Sequence, residues 1–225
     1  MTTYNNCYAE IIEKLPTVET LRIFEFSANN KVQDRNKNLS EEKKKIIELC
    51  LEEKKTSGLS FWESLFSLVQ NGLNLDSSFL KNAIFHNQNG KYLYYNRQQF
   101  LKFISSEIYD DVAINSKVKL SDGSECHIPM LDFKIRSNKN NLKIVKEVLS
   151  VLGLRGFILD SGKSYHFVGY ELKTESEMID LLAYFILLHP ISDKAWASHQ
   201  ILERSASLRL SKKYGKYPKL VGYAE

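Results

Sequence analysis

Two runs of alternating apolar and polar residues, 117–120 and 126–135, flank the tetrapeptide Ser121-Asp122-Gly123-Ser124. Asp-Gly between such runs is a strong signal for a β-hairpin, because a tight turn needs backbone angles that these two residues adopt readily. Pro129 lies inside the second run and cannot donate a ladder hydrogen bond, so an edge position or a bulge is expected there. The pair of runs predicts antiparallel sheet in this half of the chain.

The patterning before residue 80 differs and predicts helices. The clearest is 40–55, with Ser40 as its N-cap and Gly58 after its end. A second covers 61–70, and the polar, non-periodic residues 27–38 predict a loop. After residue 90 strands and helices mix; the predicted strands are 91–95, 156–159, 165–172, 207–210 and 219–221, and the predicted helices are 98–108, 142–152, 175–188 and one capped by Ser192 that runs to 203. We therefore predict an α+β fold, with a helical N-terminal region at 1–88 and a core of antiparallel strands and packed helices at 89–225.

Composition limits the function classes. The net charge of +4 permits an anionic partner without requiring one. No apolar run approaches the roughly 18 residues of a membrane span, and the N-terminus does not resemble a signal peptide. Cys7, Cys50 and Cys126 are scattered and predict free thiols in a cytoplasmic protein. Phosphate-binding loops of the Rossmann and P-loop kinds are absent from the sequence.

Three clusters carry residues suited to chemistry. In the run Met130 to Ile135, alternation places Asp132 and Lys134 on one face of a strand. A polar glycine turn then leads to Ser164 and His166, and such a turn offers backbone N–H groups and side-chain donors to an anion. Asp193 follows at a predicted helix start, where a carboxylate also stabilises the helix dipole. Each cluster alone has an ordinary structural explanation.

Taken in order, the clusters resemble the motifs of the archaeo-eukaryotic primase superfamily over about half of the chain. That family has a strand with hydrophobic-Asp-hydrophobic-Asp, then a Ser-x-His motif, then hydrophobic-Asp and a downstream stretch with arginine. The chain has Asp132, then SGKSYH, then Asp193, then LRLSKKYGKYP with Arg209. It looks most like the one-aspartate primase-like group.

The resemblance implies roles for these residues. Asp132, His166 and Asp193 would be the catalytic set, with Asp132 and Asp193 as ligands of Mg²⁺ or Mn²⁺. Ser164 and His166 would contact a nucleoside triphosphate. The remaining phosphate contacts would come from Lys134, Lys163 and Arg209. The implied partners are nucleotide triphosphates and nucleic acid, either single-stranded or a primer–template.

Lys134 stands where the family has its second aspartate. A pair of unit charges about 4 Å apart is worth about 4 kcal/mol at an effective dielectric near 20, and here the sign is reversed. Another carboxylate could replace the ligand (Asp160, Glu171 or Glu125), or Lys134 could neutralise phosphate, or the site no longer polymerises. The last case gives the alternative function, a degenerate primase fold that binds nucleic acid or acts as an interaction module in a mobile-element or defence system.

Overall fold

The computed structural model describes residues 6–25, 39–75, 77–85, 91–106, 112–212 and 216–225. Contacts divide the chain into a larger unit, Met1–Phe26 with Gly90–Glu225, and a smaller unit, Ser27–Asn89. The first 26 residues therefore group with the C-terminal part of the chain, whereas the sequence assigned them to a helical region of residues 1–88. The loop predicted at 27–38 and the last two residues of the helix predicted at 98–108 lie outside the described residues.

The described elements are named in chain order. The helices are α1 (Asn6–Glu13), α2 (Glu41–Ser57), α3 (Phe61–Gln70), α4 (Ser77–Phe85), α5 (Arg97–Ser105), α6 (Lys139–Val151), α7 (Glu175–Ile186) and α8 (Lys194–Leu202). The strands are β1 (Val18–Glu25), β2 (Lys91–Asn96), β3 (Val112–Leu120), β4 (Glu125–His127), β5 (Met130–Asp132), β6 (Gly156–Asp160), β7 (Tyr165–Gly169), β8 (Ser207–Arg209) and β9 (Lys219–Ala224). Across these described stretches, every helix is too short or too polar to cross a bilayer.

Two antiparallel sheets form the larger unit. The first has the order β2-β1-β3-β4, with β8 also paired to β3, and the second has the order β5-β7-β6-β9. Their apolar faces and the helices α1, α5, α6, α7 and α8 contribute to one continuous core. The predicted α+β class, with antiparallel strands and packed helices, is confirmed.

Strand β1 corrects the helical prediction for the first 80 residues. It lies between β2 and β3; it pairs with β2 from Thr20 to Glu25 and with β3 from Val18 to Glu25. Leu21 and Ile23 are buried, whereas Arg22 between them is only half-buried, which is the alternation of a strand. The β-branched and aromatic residues of VETLRIFE favour the same conformation.

Pro129 divides the long strand that the sequence predicts at 126–135. Strand β4 ends at His127 and pairs with β3 in the first sheet, while β5 begins at Met130 and pairs with β7 in the second. Pro129 has no N–H to donate, and its carbonyl accepts from the Gly169 N–H at 2.8 Å. The chain thus changes sheets at Pro129, and this change brings the end of β5 beside β7.

The described residues of the smaller unit form α2, α3 and α4. Ser40 caps α2 by accepting from the Lys43 N–H, and Gly58 ends the helix at φ +72°, as predicted. Helix α4 had no clear signal in the sequence. The core of this unit holds Ile46, Ile47, Cys50, Leu65 and Phe79. Cys50 and Cys126 are free thiols, and burial raises the pKa of Cys50 to about 11. Cys50 is therefore a core residue and not a nucleophile.

Candidate functional site

A cleft of about 880 Å³ lies in the larger unit, where the end of β5, the β6–β7 turn, the start of α8 and strand β8 meet. The residues singled out in the sequence all line it: Asp132, Lys134, Lys163, Ser164, His166, Asp193 and Arg209. The structure therefore brings the three sequence clusters together. Their chemical roles stay predictions.

Asp132 and His166 face each other across two paired strands. They are direct partners in the register of β5 and β7, so their side chains project from the same face of the sheet. His166 Nε2 lies 3.7 Å from Asp132 Oδ1, and the Asp132 side chain keeps 25% of its exposure. The carboxylate is therefore held beside an imidazole and still reaches the cleft.

A backbone hydrogen bond joins Asp193 to the end of β5. Its N–H donates to the Asp132 carbonyl at 3.0 Å, and the Lys134 N–H donates to the Ile191 carbonyl at 2.7 Å. Asp193 Oδ1 accepts from the Trp196 N–H at 3.0 Å and so caps α8. The sequence predicted Ser192 as this cap, which is wrong: Ser192 is buried and its hydroxyl has no hydrogen bond within the described residues. A carboxylate can accept several hydrogen bonds, so the Asp193 carboxylate can cap α8 and still contact another group.

The turn between β6 and β7 carries Lys163 and Ser164 to the cleft. Gly162 adopts φ +98°, a left-handed conformation that favours glycine, and its N–H donates to Asp160 Oδ1 at 2.7 Å. The Ser161 N–H donates to the Ser164 carbonyl at 2.9 Å, which closes the turn. Arg209 Nη2 donates to the Ser161 carbonyl at 2.9 Å. A lysine, a guanidinium and hydroxyl groups thus lie along one wall.

The three carboxylates considered as replacements for the missing aspartate do not line this cleft. Both carboxylate oxygens of Asp160 already accept hydrogen bonds: Oδ1 from the Gly162 N–H at 2.7 Å within the same turn, and Oδ2 from the hydroxyl of Ser137, before α6, at 2.6 Å. Glu125 pairs with Lys117 at 2.8 Å. Glu171 pairs with Arg155. Replacement by one of these residues is therefore not supported, and Lys134 remains in the cleft beside Asp132 and Asp193.

The archaeo-eukaryotic primase 1D-like family model matches residues 97–222, which is more than half of the chain. The chain belongs to the archaeo-eukaryotic primase superfamily. No match was found among curated proteins or among solved structures. The family region contains the whole cleft lining. Placement within the one-aspartate group of the superfamily stays a prediction.

Sequence reasoning missed several residues of this primase-family cleft. They are Phe133, Arg136, Ser137, Asn138, Trp196 and Ser207. The polar run Arg136-Ser137-Asn138, directly before the well-patterned helix α6, was the available signal, because Asn138 is a typical N-cap. Ser207 and Trp196 carried no local signal.

A buried polar network fixes strand β8, which forms one wall of the cleft. Asn115 donates to the Ser207 hydroxyl at 2.8 Å and to the Ser205 hydroxyl at 3.1 Å. Arg22 on β1 donates twice to Asn115 Oδ1, at 2.7 and 2.9 Å. The Arg22 guanidinium also lies 4.3 Å from the centre of the Tyr92 ring. Strand β1, outside the region of the family match, therefore supports the cleft wall.

Tyr165 anchors the loop before α6 to the second sheet. The Asn138 N–H donates to the Tyr165 hydroxyl at 2.8 Å, and that hydroxyl donates to the Asn138 carbonyl at 2.7 Å. Tyr165→Phe removes both bonds in a buried setting, so we expect the free energy of unfolding to fall by about 1–3 kcal/mol in urea denaturation. Tyr184→Phe is the control, because Tyr184 is 62% exposed, and it should change stability by less than about 0.5 kcal/mol. Equal stability of the two variants would contradict the anchoring role.

The donor chemistry fits a single divalent ion better than two. Among the residues that the structure describes, no group of three or more His, Cys, Asp or Glu side chains could hold a metal. Asp132 and Asp193 offer hard carboxylate oxygens, and Mg²⁺ is commonly held by one or two carboxylates together with substrate phosphates and water. Lys134 lines the same cleft, and its positive charge makes binding of a second cation less favourable. One ion, shared with a bound triphosphate, is compatible with this set.

Proposed function

We propose that this protein binds a nucleoside triphosphate, one Mg²⁺ or Mn²⁺ ion and nucleic acid in the cleft, and transfers a nucleotidyl group to the nucleic acid. One observation carries the proposal: two aspartates converge on one cleft with a histidine, four serines, two lysines and two arginines. Carboxylates suit a cation, and the remaining donors suit phosphate oxygens. The order of these residues along the chain is that of the primase motifs.

In this proposal different residues of the cleft bind the cation and the triphosphate. Asp132 and Asp193 would hold the cation, which would supply Lewis-acid stabilisation of charge on the phosphoryl oxygens. Ser164 and His166 donate hydrogen bonds to the triphosphate. Lys163 and Arg209 offset its negative charge, Arg209 from a position already fixed by its bond to Ser161. Because these donors are held before the ligand arrives, little reorganisation is required on binding.

The chemical step is attack by a hydroxyl oxygen on the α-phosphorus, with pyrophosphate as the leaving group. The hydroxyl belongs to the 3′ end of a primer or to a first nucleotide. In this proposal the Asp132 carboxylate, which is partly exposed to the cleft and lies beside His166, also accepts the proton of that hydroxyl. The nucleic-acid partner is therefore a single strand or a primer–template.

The alternative function, a degenerate primase fold that binds nucleotide and nucleic acid without synthesis, has one observation in its favour. Lys134 lines the cleft where the superfamily has its second metal ligand. Primer extension separates the two functions: incorporation of labelled nucleotide that depends on Mg²⁺ or Mn²⁺ supports transfer, and nucleotide binding without incorporation supports the alternative.

Lys163→Met tests triphosphate binding, because methionine retains much of the side-chain length and removes the charge. Loss of a charge-assisted phosphate contact should weaken the affinity for a non-hydrolysable nucleotide analogue about tenfold or more in calorimetry with Mg²⁺. Lys119→Met is the matched control, since Lys119 is an exposed lysine on β3 that does not line the cleft. Absence of nucleotide binding by the unaltered protein would refute the proposed function. Equal affinity of both variants would refute the role of Lys163.

A further inference from the structure

Helix α6 carries a stripe of lysines on its solvent side. Lys139, Lys143 and Lys146 follow one another at steps of four and three residues, so they project within about 60° of each other around the helix axis. All three are exposed, whereas Val145 and Leu149 are buried against the core. The stripe therefore lies outside the apolar core.

Acidic neighbours do not neutralise this stripe. Glu147 is the only acidic residue of α6. Among the residues that the structure describes, Glu147 and the three lysines form no ion pair. Helix α2, by contrast, has Glu41 paired with Lys44 at 2.6 Å. A solvated helix face usually mixes both signs, and α6 presents mainly one.

The stripe continues directly from the cleft. Arg136, Ser137 and Asn138 line the cleft, and α6 begins at the next residue, Lys139. The Ser137 N–H donates to the Lys163 carbonyl at 3.1 Å, which joins the start of the stripe to the turn proposed to bind phosphate. From Lys139 to Lys146 the helix rises about 10 Å. A row of cations thus leads away from the cleft.

We infer that a single nucleic-acid strand leaves the cleft along α6, with its phosphates on Arg136, Lys139, Lys143 and Lys146. A free triphosphate is too short to use both the cleft and the far end of the stripe. A polymer with a regularly repeated negative charge can use both. An acidic peptide lacks the phosphates for which the cleft wall is suited. The inference rests on the proposed function, because it takes the cleft as the place where one end of the strand lies.

The test is the triple substitution of Lys139, Lys143 and Lys146 by glutamine, with Lys14, Lys102 and Lys119 substituted in the same way as control. These control lysines are also exposed, belong to the larger unit and lie outside the cleft lining. The probes are labelled oligothymidylate and oligouridylate of about 16 nucleotides. Loss of three phosphate contacts should weaken binding at least tenfold near 0.1 M salt and reduce the slope of log K against log salt by about 2. The control should bind as the unaltered protein does.

The outcomes separate this inference from the proposed function. Unchanged oligonucleotide affinity in the α6 variant would overturn the inference even if the unaltered protein binds nucleotide. Tighter binding of a blunt duplex, or equal competition by polyglutamate, would also overturn it. The α6 variant should retain its affinity for a non-hydrolysable nucleotide, so loss of that affinity would mean that the substitutions act on the cleft instead. If the strand binds through α6 but no nucleotide binds, the proposed function fails and the inferred path remains.

Discussion

Replacing Asp132 by asparagine is expected to lower metal-dependent nucleotidyl transfer at least a hundredfold. The change preserves the shape of the side chain and removes the negative charge that we propose to hold the cation. Loss of one preorganised electrostatic group in an active site commonly costs a factor of about 10²–10³ in rate. The measurement is incorporation of labelled nucleotide into a primer at saturating Mg²⁺ or Mn²⁺. If the protein proves inactive in transfer, the same variant should lose the metal-dependent part of its nucleotide affinity.

The control for net charge is Asp180→Asn, because Asp180 is an exposed carboxylate on α7. This variant should retain full activity and metal dependence. Asp193→Asn is a second informative variant, since asparagine is as good an N-cap as aspartate and should preserve α8. Any loss of metal dependence in Asp193→Asn then comes from the missing charge and not from a damaged helix. Unchanged metal dependence in Asp132→Asn would refute its role as a ligand.

The residues singled out in the sequence meet in one cleft, and they belong to short motifs whose local geometry the sequence indicates. Gly162 and the polar residues beside it predicted the β6–β7 turn. The alternation of side chains along a strand, which is a local property, predicted that Ser164 and His166 lie on one face. Asp132 and Lys134 both line the cleft, although β5 ends at Asp132. The backbone stays extended beyond the strand, because Phe133 forms a bridge with Ser192 and the Lys134 N–H bonds to Ile191.

The fold was harder to predict where pairing joins distant residues. Strand β1 takes its partners from β2 and β3, about 70 and 90 residues further along the chain. The sequence of residues 18–25 gives no information on these pairing partners. The helical patterns of the neighbouring segments therefore led to a helical prediction for the whole region. Pro129 indicated an edge position or a bulge inside one strand, whereas the structure has two strands, β4 before it and β5 after it. Its consequence, a change of sheet, depends on the availability of β7 and could not be predicted from the hairpin alone.

Asp193 illustrates why a residue with an ordinary explanation can also belong to a site. Its carboxylate caps α8, at the helix start where the sequence had suggested only stabilisation of the helix dipole. The same cap fixes the side chain at the cleft, and the backbone bond to Asp132 fixes its position relative to β5. A structural role and a ligand role are therefore compatible here. Only the three-dimensional arrangement distinguishes this aspartate from other N-caps in the chain.

Replacing Lys134 by aspartate is expected to raise the affinity for Mn²⁺ or Mg²⁺ at least tenfold in the presence of a nucleotide triphosphate. The substitution removes a positive charge and adds a negative one beside Asp132, a change of two charge units at the proposed metal position. One unit-charge pair about 4 Å apart is worth about 4 kcal/mol at an effective dielectric near 20. A third of that value corresponds to about tenfold in affinity. Calorimetry with the metal as titrant measures the change directly.

Lys134→Ala separates this expectation from its competitor, in which Lys134 holds a phosphate in place of a second ion. If Lys134 binds phosphate, both substitutions should weaken nucleotide binding, and alanine should not improve metal affinity. If Lys134 only opposes a metal, alanine should raise metal affinity by less than aspartate does, because it removes one charge unit instead of two. Lys119→Asp, at an exposed position on β3, controls for the change in net charge. If neither Lys134 variant alters metal or nucleotide binding, Lys134 is a surface lysine and the proposed arrangement of the cleft is wrong.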